Sequence, residues 1–150
     1  MAESHSDATP SEDDVLVHAA RTFVGMSVRA ADQLGSVSLV QLRALSVVDE
    51  TAGVNLMQLS EGMGVTVSTT SRLVDRLVAA GLVDRRPSEV TRREITLTLT
   101  PQGESLLARY DDLRLQALHR RLEGLPSRRR AAVVTALRDL VAAEPRPETP

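Results

Sequence analysis

Apolar positions recur at helical spacing over most of the chain, and the period switches to two in one short stretch. Val15, Leu16, Ala19, Phe23, Met26 and Ala30 form an apolar stripe, and Ser11 with Asp14 makes a capping box ahead of it. That pattern predicts a helix from residue 11 to about Asp32. Ser38 with Gln41 caps a second helix that buries Leu42, Leu45 and Val48. Asn55 with Gln58 caps a third, in which Leu56, Leu59 and Met63 share one buried face. Gly62 and Gly64 bracket Met63 and let the chain turn with φ > 0. A fourth helix starts near Thr66 or Ser68, carries Leu73, Val74, Leu77 and Val78 on its apolar face, and ends at Gly81. Leu82-Val83 then open a strand, and Ile95, Leu97 and Leu99 alternate with Thr96, Thr98 and Thr100 as a half-buried one. Pro87 and Ser88 suit a turn between them. Pro101 starts a long helix to about Glu123, with Leu106, Leu107, Tyr110, Leu113, Leu118 and Leu122 apolar. Pro126 and Ser127 open the last helix, with Val133, Val134, Leu137, Leu140 and Val141.

The polar side of the fourth helix holds Ser68, Thr69, Ser71, Arg72, Asp75 and Arg76. Short hydroxyls and backbone N–H groups at a helix start suit phosphate contact. An arginine one turn further in can reach a guanine edge with both nitrogens. Arg85, Arg86, Arg92 and Arg93 then surround a projecting hairpin. Four like charges there repel one another unless a polyanion is expected, and a narrow minor groove attracts such arginines. The order is capped helix, glycine turn, hydroxyl-rich helix, glycine stop, arginine hairpin, helix. It predicts a mostly α fold with a small β-hairpin wing, a winged helix-turn-helix whose second helix is shaped for a DNA major groove. Ser38 and Thr66, at the caps of the second and fourth helices, complete the DNA-facing set. An ordinary solvated face would also account for Arg72 and Arg76, and ordinary surface charge for the wing arginines.

The run GVTVSTTSRLVDRLVAAGLVDRRP, followed by TRREITLTLTPQG, resembles the MarR family of bacterial transcription regulators. The flanking helices also fit, so the resemblance extends over nearly the whole chain. It implies that Ser68, Thr69, Ser71 and Arg72 belong to the groove-reading helix. It implies that Asp75 braces the wing, that Arg93 is the wing arginine it braces, and that Leu99–Gly103 is the strand-to-helix junction. Two positions depart from the family pattern. Thr91 stands where an aspartate is usual, which leaves open whether Arg92 or Arg93 enters the groove; Arg93 paired with Asp75 and Arg92 reaching outward is the expectation here. Thr70 replaces a buried aliphatic residue, and can bond back to the preceding helical turn.

With 150 residues the chain is long enough for one domain with a real core. All 18 cationic side chains are arginines, so every cationic contact to DNA would use the planar guanidinium fork. A net charge of -2 runs against DNA binding, but residues 66–100 hold six arginines against four acids. The acid lies elsewhere, in Glu3, Asp7, Glu12, Asp13, Asp14 and Asp49-Glu50. Local sign sets the electrostatic footprint. No cysteine is present, which excludes disulfides, thiolate metal sites and a cysteine redox switch. His5, His18 and His119 have no metal-ligand spacing, and no serine elbow, phosphate loop or paired acid suggests an enzyme. Neither a metal nor a cofactor is expected. The acidic N-terminus is the reverse of a signal peptide, and no apolar run approaches the roughly 20 residues of a membrane span, so a cytoplasmic protein without membrane contact is expected.

Residues 1–10 and 144–150 are expected to be disordered, around a single domain at 11–143. Within it, 34–100 is the DNA-binding lobe, and 11–33 with 101–143 are dimerisation helices. Those outer helices exceed what a small reading head needs. The resemblance implies that they interlock with a second copy in a homodimer; a bundle closed within one chain is the alternative. A dimer would set two reading helices about one DNA turn, ~34 Å, apart on a pseudo-palindromic operator. The partners expected are therefore double-stranded DNA and the chain itself. The resemblance further implies a repressor with a pocket for small aromatic or phenolic acids between the dimer helices and the reading head. Phe23, Met26, Arg43 and Tyr110 are the candidates for it. The competing reading is a helical interaction protein that uses the winged helix to bind protein, which would leave the wing arginines without a polyanion.

Overall fold

A computed structural model describes residues 10–87 and 95–143. The elements run α1 (Glu12–Leu34), α2 (Leu39–Glu50), α3 (Leu56–Met63), α4 (Val67–Ala79), β1 (Val83–Pro87), β2 (Ile95–Leu99), α5 (Pro101–Glu123) and α6 (Ser127–Ala142). The expected arm, the expected tail and the wing tip with Thr91, Arg92 and Arg93 lie outside the described residues, except for Pro10. The three capping boxes form as the sequence predicts. Ser11 Oγ accepts from Asp14 N at 3.1 Å, Ser38 Oγ from Gln41 N at 3.3 Å and Asn55 Oδ1 from Gln58 N at 2.9 Å. In each, the third helical residue returns a bond to the cap N–H, so two orphan donors are satisfied together.

Two compact units divide within α5, between Arg114 and Leu115. The first is centred on Leu42, Leu45, Val54, Leu59, Val74, Leu77 and Val83, all fully buried. Each such side chain stabilises the fold by roughly 1.5–3 kcal/mol relative to exposure. Ala30 and Ala31 of α1 join this core, as do Leu107 and Tyr110 of α5. Strands β1 and β2 pair antiparallel in the register Val83↔Leu99 through Pro87↔Ile95, so Pro87 closes a strand. A third backbone segment extends the sheet: Leu97 N donates to Val54 O at 2.8 Å, and Asn55 bridges Thr96. The periodicity did not predict this piece, because it is too short to alternate.

Two sequence expectations need correction. Gly62 does not turn the chain; it is helical in α3 and permits close packing, since a Cβ there would lie 2.9 Å from Val47 Cγ1. The turn belongs to Gly64, at φ 65°. On β2, only Leu97 of the alternating set is buried, while Ile95 is 58% exposed near the end of the strand.

The second unit contains the last turns of α5, the Gly124–Pro126 turn and α6. Leu125 N donates to Leu122 O at 3.0 Å across that turn. Leu122, Leu125, Val133 and Leu137 are half-buried. No residue of α6 is fully buried, and Val134, Leu140 and Val141 are exposed. Among the described residues no helix is long and apolar enough to cross a membrane.

Candidate nucleic-acid interface

The α3–turn–α4 unit is held by backbone bonds and short hydroxyls. In the left-handed conformation Gly64 donates to the Glu61 and Ser60 carbonyls, and Val65 N also reaches Ser60 O at 3.2 Å. Thr66 caps α4, its Oγ1 accepting from Thr69 N at 3.3 Å. Thr70 is fully buried, and its hydroxyl donates to Thr66 O at 3.0 Å, the back-bond expected from the sequence. With Leu73, Val74 and Leu77 also inward, α4 turns Ser68, Thr69, Arg72 and Arg76 outward and leaves Ser71 half-buried. Neither Arg72 nor Arg76 has an ion-pair partner among the described residues.

The wing is tied to α4 through Asp75. Asp75 accepts from Arg85 Nη2 at 2.5 Å, whereas Arg93 lies outside the described residues. Arg86 contacts Asp84 at 3.3 Å. Both wing arginines among the described residues, Arg85 and Arg86, are thus matched by acids. At the other end of the wing, α5 is locked to the turn after α4. Thr100 Oγ1 donates to Gly81 O at 2.6 Å and accepts from Gly103 N at 3.0 Å, while Thr100 N donates to Leu82 O at 3.1 Å. Gly103 makes this approach possible: a Cβ there would lie 2.1 Å from Leu82 O.

A cavity of about 390 Å³ opens where α1, α2 and the first half of α5 meet. Phe23, Arg43 and Tyr110 line it, together with Ser46, Glu50 and Arg114. Met26 is buried and does not line it. The Arg114 guanidinium sits 5.1 Å from the Tyr110 ring centroid and bonds Asp111 at 3.1 Å. The bond Arg43 makes is long, 3.5 Å to Gly62 O.

The MarR family model matches residues 36–94, from the loop before α2 to the residue before β2. A solved structure, RV1404 from Mycobacterium tuberculosis, is 31% identical, superposes with a TM-score of 0.78, and covers 94% of this chain and 99% of its own. The chain belongs to the MarR family. An uncharacterized HTH-type transcriptional regulator of Bacillus subtilis, YfiV, is 29% identical over 100 residues, which are 67% of this chain and 62% of that protein. The chain therefore spans less than two thirds of that relative's length. The transcriptional repressor CouR, in a complex with a 23-mer DNA duplex, is 22% identical with a TM-score of 0.64, covers 89% of this chain and 93% of its own, and shares the fold.

Within this MarR-family fold the described sequence-selected residues, Met26 apart, fall in three places. Thr66, Ser68, Thr69, Ser71, Arg72, Asp75 and Arg76 gather on or beside the outer face of α4. Ser38 is exposed at the cap of α2. Phe23, Arg43 and Tyr110 converge in the cavity. Sequence reasoning groups Arg85 with the wing arginines and does not name it as a partner of Asp75. The signal was available: Arg85 is the third residue of β1, the strand that leaves the turn after α4. Arg114 was also missed, although it lies one helical turn after Tyr110. His18 and His119 are exposed helix residues, and no group of three or more potential metal ligands occurs among the described residues.

Proposed function

We propose that this MarR-family chain is a sequence-specific DNA-binding transcription regulator. It acts as a homodimer on a pseudo-palindromic operator, represses by occupying that site, and is released by a small aromatic acid. The observation that carries the DNA reading is the outer face of α4. Two arginines without ion-pair partners among the described residues follow a first turn of exposed hydroxyls, on a helix fixed by a cap, a buried threonine and an ion pair to the wing. CouR, a protein of the same fold, binds duplex DNA, which supports the same use here. Support for the dimer comes from the terminal helices. Val15, Leu16, Val17, Phe23, Val24 and Val28 on α1 are exposed, and α6 exposes Val134, Leu140 and Val141. Large apolar patches on a soluble protein mark interaction sites.

The effector reading rests on the cavity between α1, α2 and α5. Arg43 is the cation best able to take a carboxylate, because Arg114 is already occupied by Asp111 and the Tyr110 ring. Its present acceptor, Gly62 O, lies at the end of α3 beside the turn into α4. A carboxylate that draws Arg43 away would thus act on the reading head.

The deciding experiment is binding to the DNA upstream of the chain's own gene, by fluorescence anisotropy against random duplex at several salt concentrations. Saturable binding that prefers the upstream fragment by about 10³-fold or more supports the reading. Equal, weak affinity for both duplexes would overturn it and favour a protein-binding role.

A further inference from the structure

The exposed apolar faces of α1 and α6 carry charges of opposite sign at their heads. On α1, Glu12, Asp13 and Asp14 occupy the first turn, ahead of the stripe Val17, Ala20, Val24 and Val28. On α6, Arg128, Arg129 and Arg130 occupy the first turn, ahead of the exposed Val134 and Val141 and the half-buried Leu137. The helix ends on either side of the α5–α6 turn are strongly basic: residues 120–130 contain five arginines and one acid, Glu123. That is a denser positive charge than the recognition helix and wing carry, and DNA reading by α4 does not use it.

The charges are not matched locally. Glu12, Asp13, Arg128 and Arg129 have no ion-pair partner among the described residues. Three arginines in a first turn also oppose the helix dipole, which favours acids there. An anionic surface beside the head of α6 would relieve both costs. The head of α1 is such a surface, and it leads an apolar stripe of matching character. Asp13 to Val28 spans about 22 Å and Arg130 to Val141 about 16 Å at 1.5 Å per residue, so one stripe can cover the other.

We propose that these faces form a self-recognition code. In the dimer, α6 of each subunit lies parallel to α1 of the partner subunit, with Glu12 and Asp13 facing Arg129 and Arg130 of the partner subunit. The apolar stripes supply the affinity. The charged heads set the direction and register, and reject subunits that lack the complementary charge. The inference rests on the homodimer reading above. It commits to a second copy of this chain because both halves of the code lie on one sequence, so a two-fold pairing satisfies both at once.

Charge reversal tests it. The variants are Glu12→Arg/Asp13→Arg, which keeps the Ser11–Asp14 capping box, and Arg129→Glu/Arg130→Glu, which suits the dipole of α6. Circular dichroism checks that each remains folded, and Glu12→Gln/Asp13→Asn replaces the first if it does not. Each variant alone places like charges in both seams. Sedimentation at about 0.1 M salt, where the screening length is about 10 Å, should show dimerisation weakened about tenfold or more; at about 1 M salt the difference should shrink. Mixing the two reversal variants should produce a heterodimer in preference to either homodimer, because both seams become complementary again. That rescue distinguishes pairing between chains from pairing within one. Unchanged dimerisation in both variants would overturn the code while leaving the dimer intact. A wild-type monomer at micromolar concentration would remove the dimer itself. If Arg129→Glu/Arg130→Glu lowers affinity for long operator fragments but leaves dimerisation unchanged, the basic turn contacts DNA and the code is wrong.

Discussion

The carboxylate of Asp75 accepts a 2.5 Å hydrogen bond from Arg85 Nη2, tying the middle of α4 to the first strand of the wing. Both side chains are well exposed, so the pair adds only about 0–1 kcal/mol to stability. Its effect should appear in DNA binding instead, through the angle between wing and reading helix. Asp75→Ala is expected to lower operator affinity although it removes a negative charge beside the phosphates. Bulk electrostatics predicts the opposite sign. Arg85→Ala should lower affinity as well, and the double variant should lose less than the sum of the two. Anisotropy titrations on one operator fragment measure all three. Tighter binding by Asp75→Ala would show that charge outweighs bracing.

Arg72 and the first-turn hydroxyls have different expected signatures. Arg72→Ala should cost about 1–3 kcal/mol on the operator and relax preference at one base pair in each half-site. Ser68→Ala should weaken all sequences by a similar factor, because a phosphate contact carries no base identity. Competition against operators with single base changes separates the two. A uniform loss from Arg72→Ala across specific and random duplex would assign it to the backbone.

Gly103 carries a prediction about stability. A Cβ there would overlap the Leu82 carbonyl oxygen at 2.1 Å, and both groups are backbone, so no rotamer change relieves it. Gly103→Ala must push α5 away from the α4–β1 turn. Urea unfolding should show a loss of about 1–3 kcal/mol or more. If stability is unchanged, the approach of α5 to that turn is looser than described.

The parts legible in the sequence were those written in local chemistry. Caps at Ser11, Ser38 and Asn55 each announce themselves within four residues, and the apolar spacing of Leu73, Val74 and Leu77 fixes which side of α4 faces outward. Thr70 was legible for the same reason, since its hydroxyl finds an acceptor one turn back on its own helix. What escaped depends on contacts distant along the chain. The role of Gly62 depends on Val47, fifteen residues away on another helix. That Arg85 meets Asp75 depends on how β1 leaves the turn, which the alternation of apolar residues does not encode. Met26 was selected for the cavity because its helix faces that way, but one step around α1 separates the buried Met26 from Ser27, which lines the cavity.

The effector proposal has an optical test built into the composition. The chain contains one tyrosine and no tryptophan, and Tyr110 lines the cavity beside Arg43 and Arg114. Tyrosine fluorescence from the whole protein therefore reports on that site alone. Titration with phenylacetate, an aromatic acid that absorbs weakly where tyrosine is excited, should change the emission with a saturable profile. Arg43→Ala should weaken this response by roughly ten- to a hundredfold, the usual loss when a charged group's hydrogen bond is removed. Glu50 also lines the cavity and opposes an anion, so Glu50→Gln should strengthen the response. Opposite shifts from these two variants identify a carboxylate in the cavity. A response that ignores both substitutions places the ligand elsewhere. Operator release by phenylacetate, lost in Arg43→Ala, would then connect the cavity to α4 through the carbonyl of Gly62.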